Sequence, residues 1–469
     1  MAKPESNLED REAKVGDGKS NSGAILNTRR FMLGSKELWF SPRWRLIILA
    51  VCALALLVHF TVTVGRVGRK SGDYDVNREF GRRFLQHEHL YEGGLCFNYM
   101  PASALYWAPL ALVPPRVGMG LRYLTALICL ALILRWLRLM TFPQGAAPAN
   151  NRMITSISLV LAIHYLIRDF DDGGPHVILL AFLMGGIYCI WRGREKLGAL
   201  WLGLAIAVKI TPGLFLPFFL WKRQWRVFGY TSAVTFLWIT LPALWMGPMS
   251  WWEHQRQWNE IALSVAGNSS NEFRKDNEER VQNQALKPAI TRFLVIYPPG
   301  HPLRLKQAGY VDFLNLSPSV AGRVVIVAML GLWGILCWQS RRAWNNTDPR
   351  MILAETSALL CLVLLFSPVT WLQHFVFGLP AIYWIVAREQ SCPRAITRWS
   401  LTAYVALALL MNRELLGREN YLLLLSYHTH TICLLLLFSL IIFGLWFRRA
   451  GQIHIESPSE IQSIDNKAA

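Results

Sequence analysis

Long apolar segments recur along almost the whole chain, and short clusters of Lys and Arg separate them. Of the 469 residues, 53% are hydrophobic and only 17% are charged, whereas about 25% of residues are charged in soluble proteins. Many of the apolar windows reach the ~20 residues that a helix needs to cross a bilayer. The pattern predicts an all-α polytopic membrane protein.

The formal net charge of +18 does not indicate a nucleic-acid partner, because the basic residues lie in short loops between apolar segments. Such clusters mark the cytoplasmic side of a membrane protein. The eight Cys residues are scattered, with no CxxC or Cys/His metal spacing. We therefore expect neither a disulfide framework nor a structural zinc.

The basic clusters divide the chain into three regions. Residues 1–44 are predicted to be a disordered basic cytoplasmic tail, 45–448 a membrane domain and 449–469 a second cytoplasmic tail. About twelve spans with both termini inside fit this pattern, and they leave 65–115 and 246–319 as outer loops. The predicted spans are Leu46–Val64, Met119–Trp136, Met153–Ile167, Val177–Trp191, the short pair Leu197–Val208 and Gly213–Trp221, Phe228–Trp245, Val320–Trp338, Met351–Phe366, Leu372–Val386, Leu401–Met411 and Ile432–Phe447.

The first outer loop contains a short apolar segment, 102–113, which is predicted to be re-entrant or interfacial. Before it lies a predicted amphipathic helix with Asp73 at its start and with Val76, Phe80 and Phe84 on one face. Such a helix lies flat on the bilayer with its apolar side down. Its acids are either solvated charges of a surface connector or functional groups at the membrane face.

In this topology, the polar groups that do not mark inner loops emerge together on the outer side. Besides the acids they comprise the segment 169–176, Lys209, the loop 246–319 and the segment 371–374. A transporter places ionisable groups near the bilayer midplane, whereas an enzyme acting on a lipid-linked substrate gathers them at one face. The distribution favours the enzyme.

Each group also has a purely structural interpretation. Lys209 either reaches along a helix end to the interface or offers a cation to a phosphate where little water screens it. His374 is either a packing residue or part of the same site. Asp169, Asp171 and Asp172 form either a solvated turn, which we favour, or oxygen ligands for a divalent cation.

In the second outer loop, Asn283, Gln284 and Arg292 are either solvated residues of a loop helix or binding groups. As binding groups they would contact a polar acceptor or a phosphate, with the Arg acting as a bidentate fork. The residue types alone leave both interpretations open.

Four motifs, in this order, resemble those of glycosyltransferase family 87, multi-spanning enzymes of the GT-C superfamily. The first motif has three parts in sequence. An Asp is followed by an aromatic residue, a helical run then ends in a Tyr, and a Tyr-Pro-Pro-like segment comes last. The matching residues are Asp73-Tyr74, Leu90-Tyr91 and Tyr99-Met100-Pro101, then Lys209-Ile210-Thr211-Pro212, then Asn283-Gln284-Ala285 with Arg292, and finally Ser367-Pro368-Val369-Thr370-Trp371-Leu372-Gln373-His374. The resemblance covers roughly residues 45–390.

The chain departs from the family pattern at three places. Ala285 stands where the family has Ser, and Gln373 stands where it has the first of two His residues. The segment Gly173-Gly174-Pro175-His176 takes the place of Gly-Gln-x-Asn.

The resemblance implies a GT-C-like bundle of about twelve transmembrane helices with interfacial helices and one long outer loop. It implies an inverting transfer of a hexose, in known members mannose, from a polyprenyl-phosphate donor to a glycolipid or glycan at the outer face of the cell membrane. No cofactor and no metal ion are expected. The implied residues are the general base Asp73, the phosphate-binding residues Lys209, His374 and Arg292, and the substrate-binding residues Tyr91, Tyr99, His176, Asn283, Gln284 and Trp371.

The chemistry of the residues agrees with this implication. An attacking hydroxyl must lose its proton, and a carboxylate is a suitable base, while a phosphate leaving group needs cations. In the family pattern an aromatic residue follows the functional acid, so the resemblance selects Asp73, which precedes Tyr74, over Asp75. Gly72 next to Asp73 also permits a turn that frees its carboxylate. Three alternatives stay open: Asp73 only caps its helix, the chain is a transporter or binding protein for a lipid-linked or anionic solute, or it is a non-catalytic homologue.

Overall fold

The computed structural model describes nine stretches of the chain, which together form α-helices and short 3₁₀ helices. These stretches are 42–68, 72–94, 99–143, 148–266, 282–296, 314–344, 347–391, 395–411 and 413–453. Most of the two predicted tails (1–41 and 454–469) and much of the second outer loop (267–281 and 297–313) lie outside the described residues. No strand occurs in the nine stretches, so the predicted all-α class is confirmed there.

The described α-helices are numbered in chain order. They are α1 Pro42–Arg66, α2 Asp73–Leu85, α3 Ala104–Ala111, α4 Pro115–Thr141, α5 Pro148–Asp172, α6 His176–Trp191, α7 Glu195–Val208, α8 Phe215–Trp221, α9 Trp225–Thr240, α10 Ala243–Met246, α11 Pro248–Ala266, α12 Leu286–Leu294, α13 Pro318–Gln339, α14 Pro349–Phe366, α15 Leu379–Ser391, α16 Ala395–Leu410, α17 Arg413–Ser426 and α18 Thr429–Ile453. Four 3₁₀ helices lie between them, at Glu92–Gly94, Pro101–Ser103, Thr211–Leu214 and Leu372–Gly378.

Six helical stretches among the described residues are long and apolar enough to cross a membrane. They are Pro115–Thr141, Asn151–Asp172, Trp225–Met246, Pro318–Gln339, Pro349–Phe366 and Thr429–Trp446. Three shorter apolar helical stretches accompany them, at Ala50–Arg66, His176–Trp191 and Thr211–Trp221. The chain therefore has the helices of a polytopic membrane protein, with apolar side chains such as Ile128 and Val327 on its outer surface.

The structure contains helices in places where the hydropathy of the sequence predicted none. Helix α17 and the helices α11 and α12 lie in regions predicted as loops, because their polar residues lower the hydropathy. The compact units of the chain are residues 1–62 and 63–469, and all contacts described below lie within the second unit.

Helix α2 packs its apolar face on a hydrophobic cluster of the protein itself, so the prediction that this face lies on the bilayer is wrong. Phe80 and Phe84 are buried, and Val76 is partly buried against the same cluster. Gly81 lies so close to the backbone of Trp107 in α3 that an added Cβ would approach the Trp107 carbonyl carbon to 2.6 Å. The contact fixes α2 against the short helix α3.

A buried ion pair marks the end of α8. Lys222, which follows the short predicted span Gly213–Trp221, is only 1% exposed and lies 2.8 Å from Glu355 of α14. The indole Nε1–H of Trp344 donates a hydrogen bond of 2.6 Å to the same carboxylate. Burial of both charges together avoids the cost of an unpaired charge in the bundle.

Candidate active site

Asp73 is the first residue of α2, and Tyr74 fixes its position. The Tyr74 hydroxyl donates a hydrogen bond of 3.0 Å to the carbonyl of Pro115. Gly118 and Gly173 line its slot, where a Cβ on either residue would clash with Tyr74, and Gly173 also adopts a φ of +70°. Gly72 occupies the N-cap position of α2, so the alternative in which Asp73 is the capping residue is wrong.

The carboxylate of Asp73 faces the segment that follows α14. Gln373 Nε2 donates a hydrogen bond of 2.9 Å to Asp73 Oδ2. Gln373 is the one hydrogen-bond donor to this carboxylate among the residues described here, although 300 positions separate the two residues. The contact therefore places Asp73 beside the 3₁₀ helix Leu372–Gly378, which also carries His374.

Lys209 lies at the centre of a cluster of nitrogen atoms. Its Nζ is 3.0 Å from His374 Nε2 and 3.1 Å from His176 Nε2. The two imidazole rings are themselves in contact, with centroids 4.2 Å apart. Because α7 ends at Val208 and a 3₁₀ helix begins at Thr211, the backbone between them directs Lys209 into this cluster.

A buried carboxylate orients His176. Asp169 Oδ1 lies 2.9 Å from His176 Nδ1, and Asp169 Oδ2 lies 2.7 Å from Arg122 Nη2. Arg122 also donates to the backbone carbonyls of Phe170 and Gly174. Since a carboxylate paired with Arg accepts the Nδ1 proton, the unprotonated Nε2 of His176 faces Lys209.

The interpretation of the aspartate cluster as a solvated turn is therefore wrong for Asp169, whose exposure is 0%. Gly174 packs directly against its ion pair, since a Cβ there would lie 2.8 Å from His176 Nδ1. Asp171 accepts a hydrogen bond of 2.9 Å from Thr63, and Asp172 lies 2.8 Å from Arg168. The three carboxylates thus have different partners.

His374 has a second contact that sets its orientation. The backbone N–H of Trp371 donates a hydrogen bond of 3.1 Å to His374 Nδ1. A neutral imidazole that accepts at Nδ1 carries its proton on Nε2, so this N–H points toward Lys209. The rings of Trp371 and His374 also stack, with centroids 6.1 Å apart.

Asn283, Gln284 and Arg292 form a second polar cluster, around α17 and α18. Gln284 Nε2 donates to the carbonyl of Leu425 at 3.0 Å, and Arg292 Nη2 lies 3.3 Å from Ser426 Oγ. The guanidinium of Arg292 also lies over the ring of Tyr427, 5.4 Å from its centroid. Arg292 thus contacts α17 and the turn that follows it.

Asn283 connects the second cluster to the first. Its Oδ1 accepts a hydrogen bond of 2.9 Å from the N–H of Thr370, and its Nδ2 donates one of 3.0 Å to the carbonyl of Pro368. Trp371 follows Thr370 directly. Asn283 therefore supports the segment that carries the Trp371–His374 part of the site.

Tyr91 and Tyr99 belong to the hydrophobic cluster beneath α2. The Tyr91 hydroxyl donates a hydrogen bond of 2.8 Å to the backbone carbonyl of Tyr99. The Tyr91 ring also packs on Phe80, with centroids 5.7 Å apart. The two tyrosines stabilise the loop after α2 and thereby the helix that carries Asp73.

The environment shifts both charged groups of the site toward neutrality. Burial raises the pKa of Asp73, while the Gln373 hydrogen bond and the Lys209 charge act against this increase. Burial lowers the pKa of Lys209 to about 8, and the carboxylates of Asp73 and Asp169 act against this decrease. A lysine with a pKa of about 8 can change protonation state near neutral pH.

Two contributors to the site were not selected from the sequence. Arg122 lies inside the predicted span Met119–Trp136, and an ionisable residue within a span is itself a signal of a buried polar site. Gln373 was identified only as a departure from the family pattern. No feature of the local sequence indicates its contact with Asp73.

Comparison with known proteins bears out the resemblance noted from the motifs. The family model described as "Glycosyltransferase family 87" matches residues 97–368 of this chain. A protein of Mycolicibacterium smegmatis is 27% identical over 363 residues, which cover 72% of this chain and 74% of that protein. That relative is named a polyprenol-phosphate-mannose-dependent alpha-(1-2)-phosphatidylinositol mannoside mannosyltransferase.

Two further relatives have similar names. A Mycobacterium tuberculosis protein with the same name is 25% identical over 66% of this chain and 69% of its own length. A second M. smegmatis protein, named as the corresponding pentamannoside mannosyltransferase, is 25% identical over 67% of each chain. All three names state dependence on polyprenol-phosphate mannose; two of them state a phosphatidylinositol mannoside and the third a phosphatidylinositol pentamannoside.

Proposed function

Since the chain belongs to glycosyltransferase family 87 and is a membrane glycosyltransferase, we propose that it transfers mannose from polyprenyl phosphate to a glycolipid with inversion. The observation that carries this proposal is that distant parts of the chain bring one carboxylate, Asp73, close to the cluster that contains the cation Lys209. Gln373 contacts Asp73, and the next residue, His374, contacts Lys209. The arrangement offers a base and a phosphate-binding group side by side.

In the proposed reaction, an acceptor hydroxyl attacks the anomeric carbon and gives its proton to Asp73. The new oxygen–carbon bond forms as the bond from carbon to the phosphate oxygen breaks. The leaving group departs as polyprenyl phosphate, and its charge is stabilised by Lys209 and by the Nε2–H of His374. Attack opposite a β-linked phosphate gives an α product.

The hydrogen bonds around Lys209 support an anion at this position. His176 presents an acceptor to the lysine, whereas His374 presents an N–H when its Nδ1 accepts from Trp371. An ammonium and an N–H directed at each other repel, and an oxygen that accepts from both relieves this repulsion. A phosphate oxygen is such an acceptor.

The acceptor is proposed by analogy with the relatives, whose names state a phosphatidylinositol mannoside. Membranes containing the chain are incubated with radiolabelled polyprenyl-phosphate mannose, with and without added phosphatidylinositol mannoside. A labelled product lipid is expected only when an acceptor is present. Donor binding without any transferred label would instead indicate a binding or transport protein, or a non-catalytic homologue.

We further propose a bundle of about twelve spans in the cell membrane, with cytoplasmic termini and the site at the outer face. The basic clusters in alternate loops support this orientation. Single Cys residues in a Cys-free background test it, with Glu92→Cys and Asn259→Cys expected to react with an impermeant thiol reagent in intact cells. Lys196→Cys is the inner control and should react only after permeabilisation. Protection of both outer positions in intact cells would contradict the orientation.

The transfer is also proposed to need no metal ion, because Lys209 and His374 supply the positive charge and hydrogen bonds for the phosphate. Asp169 is paired with Arg122, and Asp172 with Arg168, so neither carboxylate is readily available as a ligand. Activity is expected to remain within about twofold after incubation with EDTA. Loss of activity that Mg²⁺ or Mn²⁺ restores would overturn this proposal.

A further inference from the structure

Gln373 contacts the proposed base, and the segment that carries it is held from two sides. Within the segment between α14 and the 3₁₀ helix, Thr370 Oγ1 donates to the carbonyl of Leu364 at 2.7 Å. From the segment that precedes α12, the backbone N–H of Gln284 donates a hydrogen bond of 2.8 Å to the carbonyl of Thr370. Gln373 itself is only 4% exposed, so its amide has little freedom to move away from Asp73.

The two partners of this contact are therefore both supported. Asn283 Oδ1 accepts a hydrogen bond of 2.9 Å from the N–H of Thr370, and the Tyr74 hydroxyl holds the start of α2 by donating a hydrogen bond to the carbonyl of Pro115. These hydrogen bonds hold both sides of the contact between the Gln373 amide and Asp73 Oδ2. The other oxygen, Asp73 Oδ1, has no hydrogen-bond partner among the described residues, so it is available to an incoming hydroxyl.

We propose that Gln373 is a positioning residue for the transfer reaction, because its amide fixes Asp73 Oδ2 so that Oδ1 accepts the proton of the acceptor hydroxyl. This inference rests on the proposed function, in which Asp73 is the base. A neutral amide suits this role, because it donates a hydrogen bond to the ionised carboxylate but cannot take up the transferred proton. The hydrogen bond also favours the ionised form of the base over the protonated form.

Other charged groups face Asp73 and contribute to its titration. They lie on the elements packed around it and are Lys209, Arg168, Asp169 and Asp172. None of them is changed by a substitution at Gln373. A shift in the pH profile after replacement of Gln373 by an apolar residue therefore reports the loss of the hydrogen bond from its amide.

The test compares Gln373→Leu with the wild-type chain in membranes, with saturating donor and varied acceptor. Without the amide, the carboxylate is harder to ionise, so the acidic limb of the kcat/KM profile should move to higher pH by about one to two units. At neutral pH, kcat/KM should fall about tenfold to a hundredfold. Binding of the polyprenyl-phosphate donor should stay within about twofold.

Two further variants make the result specific. Gln373→His retains an N–H donor and is expected to restore part of the rate, whereas Gln373→Glu places a second carboxylate beside Asp73 and should move the acidic limb further upward. Gln339→Leu is the matched control, since it removes another buried glutamine, at the end of α13. It should leave the pH profile unchanged.

The outcomes separate this inference from the function on which it rests. An unchanged acidic limb in Gln373→Leu, with Asp73→Asn inactive, would overturn the positioning role alone. An increase in acceptor KM without a pH shift would also overturn it, because Gln373 would then contact the acceptor itself. Full activity of Asp73→Asn would overturn the assignment of the base. If Gln373→Leu does not fold, the comparison of Gln373→His with Gln373→Glu decides in the same way.

Discussion

Asp73→Asn is expected to fold normally and to lose about a hundredfold to ten-thousandfold of its transfer rate. Asn has nearly the same shape as Asp, but its amide cannot accept the proton of the acceptor hydroxyl. The stability of α2 should change little, because Gly72 and not Asp73 holds the N-cap position. The measurement is transfer of labelled mannose under single-turnover conditions, together with the thermal stability of the purified variant.

Asp75→Asn is the matched control for this prediction. Asp75 lies two residues further along the same helix, so its side chain points about 200° away from that of Asp73. Its Oδ2 lies 3.4 Å from the backbone N–H of Gly68, away from the Gln373 contact. Asp75→Asn should keep most of the activity, and the opposite ranking of the two variants would refute the assignment of the base.

Lys209→Met is expected to weaken use of the polyprenyl-phosphate donor by about tenfold to a hundredfold, which is the loss expected from a hydrogen bond to a charged group. Met keeps most of the apolar stem and removes the ammonium that lies between His176 and His374. Lys196→Met is the matched control, because Lys196 is an exposed lysine at the start of α7. Unchanged donor binding in Lys209→Met would show that this lysine is only an anchor.

The pH dependence of Lys209 has a defined sign. The protonated ammonium is the form that binds phosphate, and burial lowers its pKa to about 8. In the free enzyme, kcat/KM for the donor should therefore fall as the pH rises through about 8. The acidic limb has the opposite sign, since Asp73 acts as the carboxylate and its function is lost as the pH falls through its raised pKa.

Lys209→Arg tests the origin of the alkaline limb. A guanidinium stays charged throughout this range, so the alkaline limb should move to higher pH or disappear while the acidic limb stays in place. Bound donor should also raise the pKa of Lys209 through its phosphate charge. The alkaline limb of kcat should accordingly lie at a higher pH than that of kcat/KM.

Local sequence features determined which segments are apolar helices and which face of α2 is buried. Apolar length sets which helices can cross a bilayer, and the spacing of Phe80 and Phe84 sets the side of α2 that packs on the hydrophobic cluster. The order of the motifs also indicates Asp73, Lys209 and His374 as candidate site residues. These properties depend on neighbouring residues in the chain, so the sequence alone contains them.

Tertiary packing decided which of the candidate site residues contact one another. It brought His176 and His374 to Lys209 but placed Arg292 against Ser426 and Tyr427. It also paired Arg122 with Asp169, which the sequence left as part of a solvated turn. Such pairs depend on the rotation and crossing of helices that lie far apart in the chain.

The contact between Gln373 and Asp73 shows this division most clearly. The sequence identified Asp73 by its local pattern and Gln373 only as an unusual residue in its motif. A hydrogen bond across 300 positions requires that α2, α14 and the segment around Asn283 are packed together. Hydrophobic periodicity fixes the face that each helix buries, but the packing of the whole bundle fixes the atoms that come within bonding distance.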